Sequence, residues 1–176
     1  MDEQVFLAPA SRSSSGNRAY QHFEKTVLKG VSRQLCSQYS SEIQIDPVRV
    51  WGLKSSIKTA WEEIQVGDWL LSYTDSDTYR FGAQVLDTEF NPELGDAIRS
   101  DILDLHGSEE GSDWDCLVYL DDPVEINASG KEIANIFDYG NNFPVRFIRV
   151  TAERMDKLEN EFDSVTSFVN SLRTHE

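Results

Sequence analysis

Residues Val48–Asp87, VRVWGLKSSIKTAWEEIQVGDWLLSYTDSDTYRFGAQVLD, hold three of the four tryptophans in the chain. A β-branched run leading into Trp51 predicts a strand. Ile57, Trp61 and Ile64 fall at i, i+4 and i+7, which predicts a short helix opening near Ser55 or Ser56 with these three side chains turned to the core. Gly67-Asp68 is a turn, and Trp69–Tyr73 follows as a strand with Trp69, Leu71 and Tyr73 on one face. Asp75–Thr78 is a hairpin loop and Tyr79–Leu86 the returning strand, where Gly82 marks a bulge or a close approach. Strand, helix, turn and hairpin in succession define a small mixed unit. Aromatics clustered on such a unit can stack a planar ligand, with a nucleobase as the leading candidate. Each ring has an alternative reading as core, since burial is the default fate of aromatics.

Outward from this stretch, Gln4–Pro9 reads as a strand and Ser11–Asn17 as a polar loop. Tyr20, Phe23, Val27 and Val31 form one apolar stripe, which predicts an amphipathic helix with its exit at Cys36–Ser41 and Gly30 as a weak point. Asn91 is placed to cap a helix with Pro92 at its first position, running to about Leu103. His106–Asp113 is an acidic loop, Cys116–Leu120 an apolar strand, and Val124–Ile126 a continuation after Asp121-Asp122-Pro123. A short helix over Lys131–Phe137, a turn at Asn141–Pro144 and a last strand at Val145–Val150 come next. From Ala152 to Leu172 the residues Met155, Leu158, Phe162, Val165, Phe168 or Val169, and Leu172 lie on one stripe, predicting a long amphipathic helix with Thr151 as cap. The chain is thus grouped as an N-terminal strand and helix (1–46), a central domain (47–151) and a C-terminal helix (152–176). The expected fold is α+β: a curved or barrel-like mixed sheet with short helices around it and long helices at both ends.

Charge is the compositional oddity: 31 acidic residues against 16 basic ones give −15 over 176 residues. Such a balance argues against a nucleic-acid partner. Its distribution weakens that objection. Residues 1–88 carry 11 acids and 9 bases, a net −2, whereas residues 89–176 carry 20 acids and 7 bases, a net −13. Lysine is scarce, six against ten arginines, and Asp is as abundant as Glu. That pattern resembles proteins of salt-accumulating organisms, haloarchaea in particular. At about 1 M salt the Debye length is about 3 Å, so a diffuse negative surface repels DNA weakly and local contacts decide binding.

Cys36 and Cys116 have neither disulfide-framework nor metal spacing, and the three histidines are scattered. No zinc site and no cofactor are expected. No apolar run approaches a membrane span and the N-terminus lacks a signal-peptide layout, so a cytoplasmic location is expected. Phosphate-binding glycine loops, nucleophile elbows, paired metal-binding histidines and Cys-x-x-Cys are absent, which favours a binding module over an enzyme. Glu62-Glu63 and Asp121-Asp122 are carboxylate pairs that a chain this acidic contains by chance.

Several of these segments resemble the PUA-like superfamily and, within it, the EVE and YTH-like domains. The residues that carry the resemblance are Val50-Trp51-Gly52-Leu53-Lys54, Ala60-Trp61-Glu62-Glu63-Ile64, Gln65 to Tyr73 around the Gly67-Asp68 turn, and the Tyr79, Gly82, Val85 spacing. Asn91-Pro92-Glu93-Leu94, Leu117 to Pro123, and Phe143-Pro144 leading to Phe147-Ile148-Arg149-Val150 fit the form found in modification-dependent restriction enzymes, both McrBC-type GTPases and HNH nucleases. The resemblance spans about residues 47–151.

It implies a non-catalytic reader of a modified base in DNA, serving restriction or another defence response, with any nuclease or GTPase effector on a partner or another part of the protein. Such readers flip a base from the duplex and stack it between aromatic rings; an unstacking cost of a few kcal/mol is offset by roughly 1–3 kcal/mol per stacked base. A methyl group adds apolar contact of about 0.8 kcal/mol. Trp51, Trp69 and Tyr73 are the first candidates for the rings, with Tyr79, Tyr139 and Phe143 behind them. Lys54, Lys58 and Arg80 are candidates for phosphate contacts, against a plain solvated-surface role. An RNA-binding module of the same superfamily and an acidic subunit binding a basic protein are the alternatives.

Overall fold

The computed structural model describes residues 3–10, 18–75, 77–104, 113–142, 144 and 146–174. Among the described residues seven strands in mixed pairing, with helices around them, make the α+β class observed rather than inferred. The chain forms two compact units built from discontinuous pieces: Met1–Tyr20, Gly67–Gln84 and Pro123–Glu176 in one, Gln21–Val66 and Val85–Asp122 in the other. Strand β4 (Thr78–Phe90) gives its first half to one unit and its second half to the other.

In the first unit, β1 (Val5–Pro9) pairs in parallel with β3 (Trp69–Asp75), in a register running from Val5 opposite Trp69 to Pro9 opposite Tyr73. The other edge of β1 holds the short antiparallel strand β7 (Ile148–Arg149). The first half of β4 returns antiparallel to β3, and β6 (Val124–Ser129) pairs with it in turn. Register shifts at Ser72/Tyr73 and Tyr73/Asp75 bulge the hairpin near its tip. Gly82 pairs with Leu71, and a Cβ there would stand 3.2 Å from Leu71 Cδ2 and 3.5 Å from Val169 Cγ1, so its role is close approach.

Helix α5 (Gly130–Phe137) opens on a capping box in which Ser129 Oγ accepts from Glu132 N–H and the Glu132 carboxylate accepts from Ser129 N–H. The single long helix expected over 152–172 is instead two, α6 (Asp156–Glu161) and α7 (Val165–Leu172). Phe162 is extended, and the Ser164 hydroxyl accepts from Ser167 N–H as an N-cap. A local cap therefore competed successfully with continuation of the apolar stripe. Leu7, Leu71, Ile126, Phe137, Phe168 and Val169 are among the buried residues of this unit.

In the second unit, β2 (Arg49–Leu53) runs antiparallel to β5 (Cys116–Leu120), which runs antiparallel to the second half of β4. The expected continuous N-terminal helix is replaced by α1 (Arg18–Phe23), a π-helical turn over Glu24–Leu28 and α2 (Arg33–Cys36). Gly30 explains the break, because its φ of 85° lies in the left-handed region and a Cβ would meet Pro47 at 2.8 Å. Lys58–Trp61 forms α3 behind a 3-10 turn over Ser55–Ile57. Trp61 is core as its spacing implied: it is buried, and its indole N–H donates to the Leu117 carbonyl at 3.1 Å. Helix α4 (Pro92–Asp101) starts where expected, with Asn91 Oδ1 accepting from Leu94 N–H at 3.0 Å. No helix among the described residues is long and apolar enough to cross a membrane.

Candidate nucleic-acid interface

Trp69 and Tyr73 share a strand face as their spacing predicted, and that face is the core of the first unit. Trp69 is 6% exposed and its indole N–H donates to Thr166 Oγ1 at 3.0 Å. Tyr73 is 7% exposed, donates to Asp77 Oδ1 at 2.9 Å, and meets the Tyr79 ring edge-on with centroids 5.3 Å apart. Its phenol is pushed above the ordinary value, chiefly by burial and then by the Asp77 carboxylate. These three rings pack against one another or the apolar core. The sequence grouped Trp51, Trp69 and Tyr73 as one cage; Trp51 belongs to the second unit.

Around Trp51 a different aromatic group has formed. Trp51 sits on β2 opposite Val118, and the Phe23 ring of α1 meets it nearly edge-on at 6.1 Å. The Trp114 indole lies 5.9 Å away at an interplanar angle of 56°, with His22 edge-on to it at 5.9 Å. Two glycines make room: a Cβ at Gly52 would fall inside the Trp114 ring, and one at Gly95 would overlap the Trp114 carbonyl oxygen. The residues flanking Trp114 are anchored as well. Asp113 accepts from Ser55 N–H at 2.7 Å and Ser55 Oγ–H at 3.0 Å, while the Asp115 carbonyl accepts from Asn91 N–H at 2.8 Å. Burial opposes ionisation of Asp113, but the Ser55 hydrogen bonds hold its carboxyl below the usual value. Trp51 and Trp114 are 8% and 6% exposed, as buried as Trp69 and Tyr73, and Trp114 belongs to the apolar core of this unit, seated between β2, α4 and the 3-10 turn.

Trp114 was not singled out from the sequence, although the Trp51-Gly52 dipeptide was a usable signal, since a glycine beside a tryptophan on a strand leaves space for a second ring. Tyr79 and Tyr139 border a cavity in the first unit together with Arg146, Arg149 and Arg154. Phe143 lies outside the described residues. Lys54, Lys58 and Arg80 are exposed, and Lys58 Nζ stands 4.5 Å from the Phe90 ring centroid. The three cavity arginines were missed as site residues, yet they are three of the seven basic residues after position 88 and fall close together in the chain.

The arrangement of strands and helices has a solved counterpart. The N-terminal domain of Thermococcus gammatolerans McrB bound to m5C DNA aligns over 93% of this chain and 99% of that one, with 22% identity and a TM-score of 0.64. The two chains share a fold. The α+β fold with a mixed sheet and flanking helices expected from the sequence is the one observed. The YTH domain of Zygosaccharomyces rouxii MRB1 in complex with N6-methyladenosine RNA also aligns, over 95% of this chain and 91% of that one, at 14% identity. The TM-score of that alignment is 0.42. No protein-family model and no curated protein sequence matches the chain.

Proposed function

We propose that the chain is a non-catalytic reader of a modified base in DNA, with Trp51 and Trp114 as its stacking surfaces. The observation that carries this reading is the pair of adjacent indoles on glycine-cleared backbone. The McrB domain that shares the fold is bound to m5C DNA, which supports the ligand class. To admit a base the two rings must open from their 56° tilt toward parallel, and a base then contacts one ring on each face at about 3.5–4 Å. The opening separates rings already in contact, so it disfavours bases that fill the gap poorly. A methyl group supplies extra apolar contact of about 0.8 kcal/mol, enough for a severalfold preference by itself. Lys54 directly precedes Ser55, whose hydrogen bonds hold Asp113 beside Trp114, so Lys54 and the exposed Lys58 are suited to phosphates of the strand that delivers the base. Restriction or another defence response is the setting this reading favours, with a nuclease or GTPase acting from a partner or another domain.

Binding of duplexes carrying m5C or unmodified cytosine, followed by tryptophan fluorescence and anisotropy, tests the reading. Preference for the modified duplex is expected, with quenching of the indoles. Trp51→Ala and Trp114→Ala should each weaken that binding by roughly 5- to 150-fold, the loss of one stacked face. Equal affinity for modified and plain duplexes would sink the proposal, and tighter binding of methylated RNA would move it to RNA.

A further inference from the structure

We infer that the cavity of the first unit is a second, separate ligand site, built for a nucleoside phosphate. Its volume is about 380 Å³, within the range of roughly 300–1,000 Å³ typical of small-molecule pockets. Apolar side chains, Leu7, Ile133 and Ile148 among them, supply a floor, and Tyr139 supplies a planar aromatic wall. Arg146, Arg149 and Arg154 also line it, and no Asp or Glu does so among the described residues. That is the opposite of what composition favours. The half of the chain holding these arginines carries 20 acids and 7 bases.

Two of the guanidiniums are positioned rather than loose. Arg149 Nη1 donates to Gln4 Oε1 at 2.9 Å across the β7–β1 pair. Arg154 Nη1 donates to the Phe137 carbonyl at 3.1 Å and to the Asp138 carbonyl at the C-terminal end of α5. Its guanidinium also stacks 4.3 Å from the Tyr139 ring centroid. Both side-chain hydrogen bonds of Arg154 run through Nη1, which leaves other donors of its guanidinium for a ligand. Arg146 is exposed at the rim. The Tyr79 hydroxyl adds a neutral donor, because burial keeps the phenol protonated well above its ordinary range.

The cradle of the cavity is also fixed by the backbone. A Cβ at Gly130 would overlap the Asn142 carbonyl oxygen, so the segment carrying Tyr139–Asn142 closes tightly on the start of α5. Positive groups at the rim, an aromatic wall and an apolar floor together match a ligand with a phosphate at one end and a flat, weakly polar ring at the other. Planar forks favour phosphate over smaller anions through bidentate bonds. The source is either a free mononucleotide or the phosphorylated end of a nucleic-acid strand.

Isothermal titration of the full chain with deoxycytidine 5′-monophosphate, deoxycytidine, inorganic phosphate and a 5′-phosphorylated single-stranded oligonucleotide tests this site without any modified duplex, and so independently of base reading at Trp51. The mononucleotide should bind at least about tenfold more tightly than the nucleoside or phosphate alone. Arg146→Gln should weaken it by about tenfold or more, and Tyr139→Ala should reduce it toward the affinity of inorganic phosphate. Arg146-dependent binding of the oligonucleotide with no binding of the mononucleotide would assign the strand end as the source. No binding by any of the probes, or binding indifferent to Arg146→Gln, overturns the inference.

Discussion

Gly52 and Gly95 show how much of a binding surface can depend on atoms that are not there. The Trp114 ring occupies the space of a Gly52 side chain, and the Trp114 carbonyl occupies that of Gly95. Gly52→Ala is expected to push the indole off its seat on β2, with an overpacking penalty of about 1–3 kcal/mol in chemical denaturation. Loss of m5C preference should accompany it while β2 remains paired with β5; a variant that keeps both stability and preference would show that Trp114 is not held by this contact. Residues read by local spacing fared differently. Trp61 declared itself as core through Ile57 and Ile64, because helical periodicity encodes which face is buried. Trp69 and Tyr73 declared a shared face, but strand periodicity of two does not say which side the covering helix takes.

At the level of elements, capping decided where the sequence stripes misled. The stripe from Met155 to Leu172 is continuous in period, yet Phe162 is extended and Ser164 starts α7 afresh. The second start has partners from the beginning of the chain: Glu3 accepts from Val165 N–H at 3.1 Å and from the Thr166 hydroxyl at 3.3 Å. Thr166 in turn accepts the Trp69 indole N–H, which ties α7 to β3. Ser164→Ala should lower stability by about 0.5–2 kcal/mol, measured by urea unfolding, since it removes the side-chain acceptor of Ser167 N–H. A variant more helical and more stable than the parent would mean that the stripe, not the cap, governs this segment. Asn91 and Ser129 are caps whose neighbours agreed with them, and α4 and α5 therefore begin within a residue of where the sequence placed them.

For the molecule as a whole, buried acids that stay protonated set the alkaline limit of stability. Burial, helped by Asp46 and Glu89, pushes the Cys36 thiol up from 9.0 to about 11. Burial likewise raises the phenols of Tyr79 and Tyr119, the latter also through its hydrogen bond to Glu89 at 2.6 Å. As pH rises past about 9 the unfolded chain sheds these protons first, so the folded chain binds more of them and stability falls with pH. The contribution is intact below the unfolded values and is lost as pH climbs through the folded ones. The thermal midpoint should hold near neutrality and decline steadily above about pH 9; a flat profile to pH 11 would contradict the burial of these groups. The strongly acidic C-terminal half is likewise only a sum over residues, and folding gathered three of its seven basic groups around one cavity. By itself the sequence determined the element types, most of their starts and the mixed α+β class, because periodicity and caps act over a few residues. Only tertiary structure decided that Trp51 meets Trp114 and not Trp69, and that Arg146, Arg149 and Arg154 converge. Those meetings depend on which strand pairs with which and which face a helix covers, and these are settled by burial across the whole chain.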